Sequence, residues 1–170
     1  YTFVANPDRD TLSRISVDDL SVITTKVGAR PTQVVTTPDH QTAITFNADG
    51  DTISVVDAED LSVQTIDIRA DRNQMVVSND GRWAIAYYDA SVDEEGSSEG
   101  AQSFNESSLV DIENLTEWSM VSGPNPRAVQ FSVDSTTAIV VSDTYLSRID
   151  LTEDEPSPEH AELSPGVTSP

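Results

Sequence analysis

The densest collection of groups able to do chemistry is an acidic stretch in which Asp89, Asp93, Glu94, Glu95, Glu99 and Glu106 offer the hard oxygens that Ca²⁺ takes. Their spacing matches no defined calcium loop, so a solvated loop competes with an ion site as the explanation. Asn47-Ala48-Asp49-Gly50-Asp51 has the alternating oxygen side chains of a calcium loop's start. Asn6-Pro7-Asp8-Arg9-Asp10 stands at the same place in a related segment, which makes a repeated hairpin turn the better account. His40 and His160 have no cluster of ligating residues around them, so neither zinc nor acid–base chemistry is expected there. Asn105-Glu106-Ser107 and Asn114-Leu115-Thr116 fit the N-glycosylation acceptor pattern at Asn105 and Asn114. There is no G-x-S-x-G elbow, and the 7 glycines are scattered too singly to cradle a phosphate. No catalytic residue and no resident cofactor other than Ca²⁺ is expected.

Charge narrows the partners. Thirty acidic residues against 9 basic ones give a net charge of −21, a field that repels phosphate backbones and excludes nucleic acid as an expected partner. Such a surface suits a soluble protein in salty surroundings or one that collects divalent cations. The lack of cysteine rules out disulfides, thiolate metal sites and covalently attached haem. No apolar run is long enough to span a bilayer as a helix, and no signal peptide is present. The chain opens on Tyr1 inside a strand-like run, which leads us to expect a removed leader or upstream segment.

The elements that must carry these residues are short strands. Thr42 to Asp80 superposes on Tyr1 to Asp39 with an offset of 41, placing Thr52 on Thr11, Leu61 on Leu20 and Asp80 on Asp39. Each unit is a series of runs rich in Val, Ile, Thr and aromatics, broken by Asp, Asn, Gly and Pro. Leu115 falls on Leu61 with an offset of 54, so 13 residues are inserted between Asp89 and Glu106, and the inserted text is small, polar and acidic. Units therefore run 1–41, 42–82, 83–136 and 137–152, with a Pro-, Glu- and Ser-rich tail over 153–170. The tail has a candidate strand near Ala161 to Leu163, and Pro165 to Pro170 echoes Pro31 to Pro38 as though entering a further unit. Neighbouring apolar residues such as Val55 and Val56 break strict alternation, so both faces of the sheets should be covered.

Phe3-Val4-Ala5-Asn6, Val27-Gly28, Pro31 and Pro38-Asp39 in the first unit, with Val55-Val56-Asp57 and Asn79-Asp80-Gly81 in the second, resemble the YVTN-type β-propeller repeat of bacterial and archaeal surface and secreted proteins. The match covers about Tyr1 to Leu151. It departs at the acidic insertion and at His40, which stands where the pattern has Gly. The resemblance implies an all-β propeller with about four blades in this chain, the first lacking its innermost strand. Three completions are open: a larger, seven-bladed ring, a closed four-bladed ring with a terminal strand completing the first blade, and an open array closed by oligomerisation. It also implies an extracellular, cell-surface or periplasmic location. The leading functional expectation is a non-catalytic scaffold presenting its loops to a protein or glycan, with further blades from the same protein or another chain. The alternatives are part of a propeller enzyme, similar to a lactonase or a periplasmic oxidoreductase subunit, and a structural surface-assembly array.

Overall fold

The structure, a computed structural model, describes residues 1–92 and 105–163. It is all-β, as the run-and-turn pattern implies, with a single 3-10 turn at Pro7–Arg9 as the only helical element among the described residues. The first sheet holds β1 (Thr2–Asn6), β2 (Thr11–Ile15) and β3 (Val22–Lys26). The second holds β4 (Pro31–Thr36), β5 (Thr42–Asn47), β6 (Thr52–Asp57) and β7 (Val63–Asp67). The third holds β8 (Gln74–Val77), β9 (Trp83–Tyr87), β10 (Glu106–Asp111) and β11 (Thr116–Val121). The fourth holds β12 (Ala128–Phe131), β13 (Thr137–Val141), β14 (Tyr145–Asp150) and β15 (Pro158–Glu162). Every sheet is an antiparallel meander in chain order. The sheets start one strand earlier than the repeat units, because β4, β8 and β12 each close one unit in sequence and open the next sheet in space.

The candidate strand near Ala161 to Leu163 is present with earlier bounds. Pro158–Glu162, inside the segment read as a tail, is the outermost strand of the fourth sheet and pairs with β14 from Tyr145↔Glu162 to Ile149↔Pro158. Proline is tolerated there because it begins an edge strand. The echo at Pro165 to Pro170 lies outside the described residues.

Sheet stacks on sheet, so the middle strands β5, β6, β9 and β10 are buried on both faces, whereas the outermost strands β3, β7 and β15 stay largely exposed. Ile44, Phe46 and Ile53 of the second sheet pack with Ala84, Ala86 and Val110 of the third. Trp83, Ile85, Tyr87 and Leu109 pack with Val129, Ala138, Val140 and Ile149 of the fourth. Leu12 packs with Ala43, Val56 and Leu61 across the first junction. All residues of β9 are buried, so two neighbours share the apolar surface that one sheet cannot hide.

The turns repeat as strictly as the strands. Where the innermost strand passes to the second, Thr37, Ser78 and Ser132 donate their hydroxyls to Asp39, Asp80 and Asp134, and accept the backbone N–H of Thr42, Trp83 and Thr137. The next position takes positive φ, at His40 (59°), Gly81 (80°) and Ser135 (57°), so the missing glycine at His40 has not changed the turn. At Gly81 a side chain is excluded as well, because a Cβ there would lie 2.5 Å from Thr37 Cγ2.

Candidate functional site

Each sheet presents two kinds of end. One carries the turns just described together with the connections after Asp57, Asp111 and Asp150. The other carries the connections between sheets and the loops after β1, β5, β9 and β13.

On this second end, the calcium expectation meets Asp89 and Glu106 among the described residues, and Glu106 pairs with Arg69 Nε at 2.7 Å; Asp93, Glu94, Glu95 and Glu99 lie outside them. Asp89 is buried, and its Oδ1 accepts the backbone N–H and the hydroxyl of Ser91 at 2.9 and 2.6 Å. Asn73 grips its backbone on both sides, accepting the Asp89 N–H at 2.8 Å and donating to its carbonyl at 3.0 Å. Asp89 thus closes a turn at the start of the insertion. Among the described residues no three His, Cys, Asp or Glu side chains converge as a metal group. Asn105 is exposed beside β10, whereas exposed Asn114 uses its side-chain amide on Asp111 Oδ2 at 2.9 Å, a bond that glycosylation would compete with. His160 is exposed on β15, with Nδ1 2.9 Å from Ser147 Oγ and its ring against Tyr145.

On the first end, a cleft of about 540 Å³ opens between the third and fourth sheets. Trp83 and Trp118 line it with ring centroids 6.0 Å apart, and Asp111, Asp134, Glu153 and Asp154 supply carboxylates. Core packing explains Trp83, which is buried; Trp118 is only partly so. Arg82 holds Asp111 by an Nη2–Oδ2 bond of 3.1 Å and lies over the Trp83 ring. Burial alone would raise the Asp111 pKa, but the Asn114 side chain and backbone and Arg82 outweigh it and hold the carboxyl below its ordinary range. Exposed Asp134 is also held low, by the hydroxyls of Ser132 and Thr136. Both carboxylates therefore face the cleft ionised at neutral pH. The sequence marks Asp134 as a turn residue and the tryptophans as core; only the juxtaposition of two sheets shows that they share a cleft.

A larger recess, about 850 Å³, lies on the first sheet and is lined by Asn6, Asp8, Asp10, Thr11, Ser13, Thr24 and Lys26. Its counterpart one sheet on is filled. There Asn47 donates to Thr52 and Ser54 at 3.1 and 2.9 Å, and Gly28 of the preceding linker donates its N–H to Ser54 Oγ at 3.3 Å. A Cβ on Gly28 would stand 2.6 Å from Asn47 Nδ2, so the slot admits only bare backbone. Arg69 N–H bonds Ser108 in the same way at the next junction, at 2.9 Å. In the first sheet Asn6 bonds Thr11 and Ser13 as Asn47 bonds its own pair, but no linker enters among the described residues. Leu20, which takes the positive-φ geometry of Leu61, is 74% exposed where Leu61 is 8% exposed. Val4 and Val22 share this uncovered face and are exposed too.

No family model matches the chain, and no curated protein matches it. Solved structures do. Hydrazine synthase of Kuenenia stuttgartiensis superposes with a TM-score of 0.64 at 21% identity, over 93% of this chain and 46% of that one. The dihydro-heme d1 dehydrogenase NirN gives a TM-score of 0.70 at 15% identity, over 95% and 35%. A proposed 6-phosphogluconolactonase from Bacteroides uniformis gives 0.60 at 14%, over 95% and 50%. The chain forms four blades of a β-propeller. It spans between about a third and a half of the length of these structures, so it is a partial propeller relative to them. In propeller terms, β4, β8 and β12 are the innermost strands, and the first blade has no innermost strand among the described residues. No helix among the described residues is long and apolar enough to cross a membrane.

Proposed function

We propose that the chain is the four-blade portion of a non-catalytic, YVTN-type binding propeller, exported or displayed at the cell surface, that presents the cleft between its third and fourth blades to a glycan. The supporting observation is that cleft: a partly open Trp118 beside buried Trp83, with ionised Asp111 and Asp134 and exposed Glu153 and Asp154 around them. An aromatic face stacks on the apolar side of a sugar ring, and carboxylates accept hydrogen bonds from its hydroxyls. The open recess on the first blade supports completion of the ring by further blades, which supply the linker backbone that Gly28 and Arg69 supply elsewhere. Calcium binding by Asp89 with Asp93, Glu94, Glu95 and Glu99 is a separate proposal, tested by calorimetric titration with CaCl₂.

A glycan array tests the leading reading. Binding to at least one glycan class is expected, with a loss of roughly fivefold or more on Trp118→Ala, because a stacked ring contributes on the order of 1 kcal/mol beyond its area. Absence of any glycan binder, or binding that Trp118→Ala leaves unchanged, would refute it.

The structural likeness to proteins named as enzymes favours one alternative, a share of a propeller enzyme whose site needs side chains from the other blades. Lactone hydrolysis by the ring-complete protein distinguishes it from the scaffold. A surface-assembly array would instead show concentration-dependent oligomers in light scattering.

A further inference from the structure

Asn105-Glu106-Ser107 lies where the chain enters β10, and exposed Asn105 opens it. Its place in the repeat is that of Asp10 and Asp51, because the carbonyls of all three accept the N–H that follows the last strand of their sheet, from Ser122, Val27 and Ile68. Asp10 and Asp51 engage their side chains as well: each Oδ1 accepts a linker N–H, from Arg30 at 2.9 Å and from Asp71 at 3.0 Å. Asn125 is the corresponding linker residue, with the same positive φ, yet Asn105 makes no bond to it, and its side-chain amide has no partner among the described residues. Ser107 departs from the repeat too. The strand registers put it on Leu12, Ile53 and Leu146, and put Ser122 on Val27, Ile68 and Leu163. Two wholly buried hydroxyls thus replace an apolar pair, and they bond each other at 2.6 Å. Such a pair offers little net gain over hydrocarbon of the same shape, so packing does not account for Ser107. An N-x-S acceptor does, because the hydroxyl two residues on is what marks the asparagine.

We infer that Asn105 is an N-glycosylation site and that Asn114 is not. Transfer joins Asn105 Nδ2 to the anomeric carbon of a lipid-phosphate-linked oligosaccharide; the bond from that carbon to phosphate breaks, the phosphate keeps the electron pair, and Nδ2 gives up one proton. In the folded chain the Ser107 hydroxyl is out of reach, so transfer precedes the pairing of β10 with β11. The glycan then stays in solvent, because Asn105 is exposed. Asn114 is placed differently: its amide bonds Asp111 Oδ2 at 2.9 Å and it lines the tryptophan cleft, so an attached sugar would collide with the turn. The inference rests on the exported location proposed above and not on the glycan-binding cleft.

The test is secretion of the 170-residue chain, behind a cleavable leader, by a eukaryotic host that glycosylates N-x-S/T triplets. Cleavage after glutamate then puts Asn105 and Asn114 on different peptides for mass spectrometry. The mass of an N-glycan is expected on the Asn105 peptide alone. Asn105→Gln and Ser107→Ala should each abolish it, whereas Ser107→Thr, which keeps the hydroxyl, should retain it. Asn105→Gln changes an exposed residue, so the loss is read on a folded chain. The protein secreted by its own source should carry a glycan at Asn105 as well. Its absence from the secreted fraction there would refute the exported location instead, while the host experiment still decides the acceptor. A secreted chain bare at Asn105, or a glycan on Asn114, would overturn the inference.

Discussion

Asp111→Ala should lower the unfolding free energy by about 3 kcal/mol, because it strips partners from a carboxylate that organises an entire turn. Asp111 is 3% exposed at its side chain; its Oδ1 accepts the backbone N–H groups of Glu113 and Asn114 at 3.0 Å each. Its Oδ2 accepts from Asn114 and Arg82. Arg82 is 45% exposed, so solvent screens its share, and most of the loss comes from the turn hydrogen bonds to the Glu113 and Asn114 backbone and from the cavity left by a buried side chain. In a chain of this size the melting temperature should fall by roughly 6 to 12 °C. The folded pKa of Asp111 lies below 3.8, the ordinary value. Its stabilisation is therefore complete above the unfolded pKa, and is lost as pH falls through the lower folded pKa. Asp39, Asp134 and Asp150 are shifted in the same direction by their own turns, and the pH window is shared. Melting curves from pH 7 to below pH 3 should show acid destabilisation that is weaker in Asp111→Asn, which keeps an acceptor oxygen but cannot gain the proton.

Phe46→Ala should cost about 4 kcal/mol, the loss expected when a wholly buried aromatic ring leaves a cavity. Phe46 is 0% exposed and belongs to the cluster shared by the second and third blades, so the cavity opens at a blade junction. Denaturant unfolding at constant m-value measures it. A cost below about 1 kcal/mol would mean that the two blades do not share a packed core.

The repeat made most of this architecture readable from the residues. Pro31 closing one unit and opening the next sheet, Leu61 and Leu115 at the same turn position, and the interruption after Asp89 are all visible as spacing, because each blade solves the same packing problem with the same residue types. The strand Pro158–Glu162 was legible only at its end, as a candidate near Ala161 to Leu163: a largely exposed edge strand needs little apolar periodicity, so Pro158, Glu159 and His160 read as tail. The cleft was invisible, since Trp118 and Glu153 meet only when the third and fourth blades stack.

The central claim is that the outer face of the first sheet is a blade–blade surface. The chain has no cysteine, so single thiols at matched repeat positions report on it cleanly. We expect the thiol of Leu20→Cys to react with an alkylating reagent as an exposed group in the 170-residue chain, and that of Leu61→Cys about a hundredfold more slowly. In the ring-complete protein, whether the added blades come from the same polypeptide or a partner, the Leu20→Cys thiol should slow to the Leu61→Cys rate. A thiol at position 20 that stays fully reactive there would contradict the account.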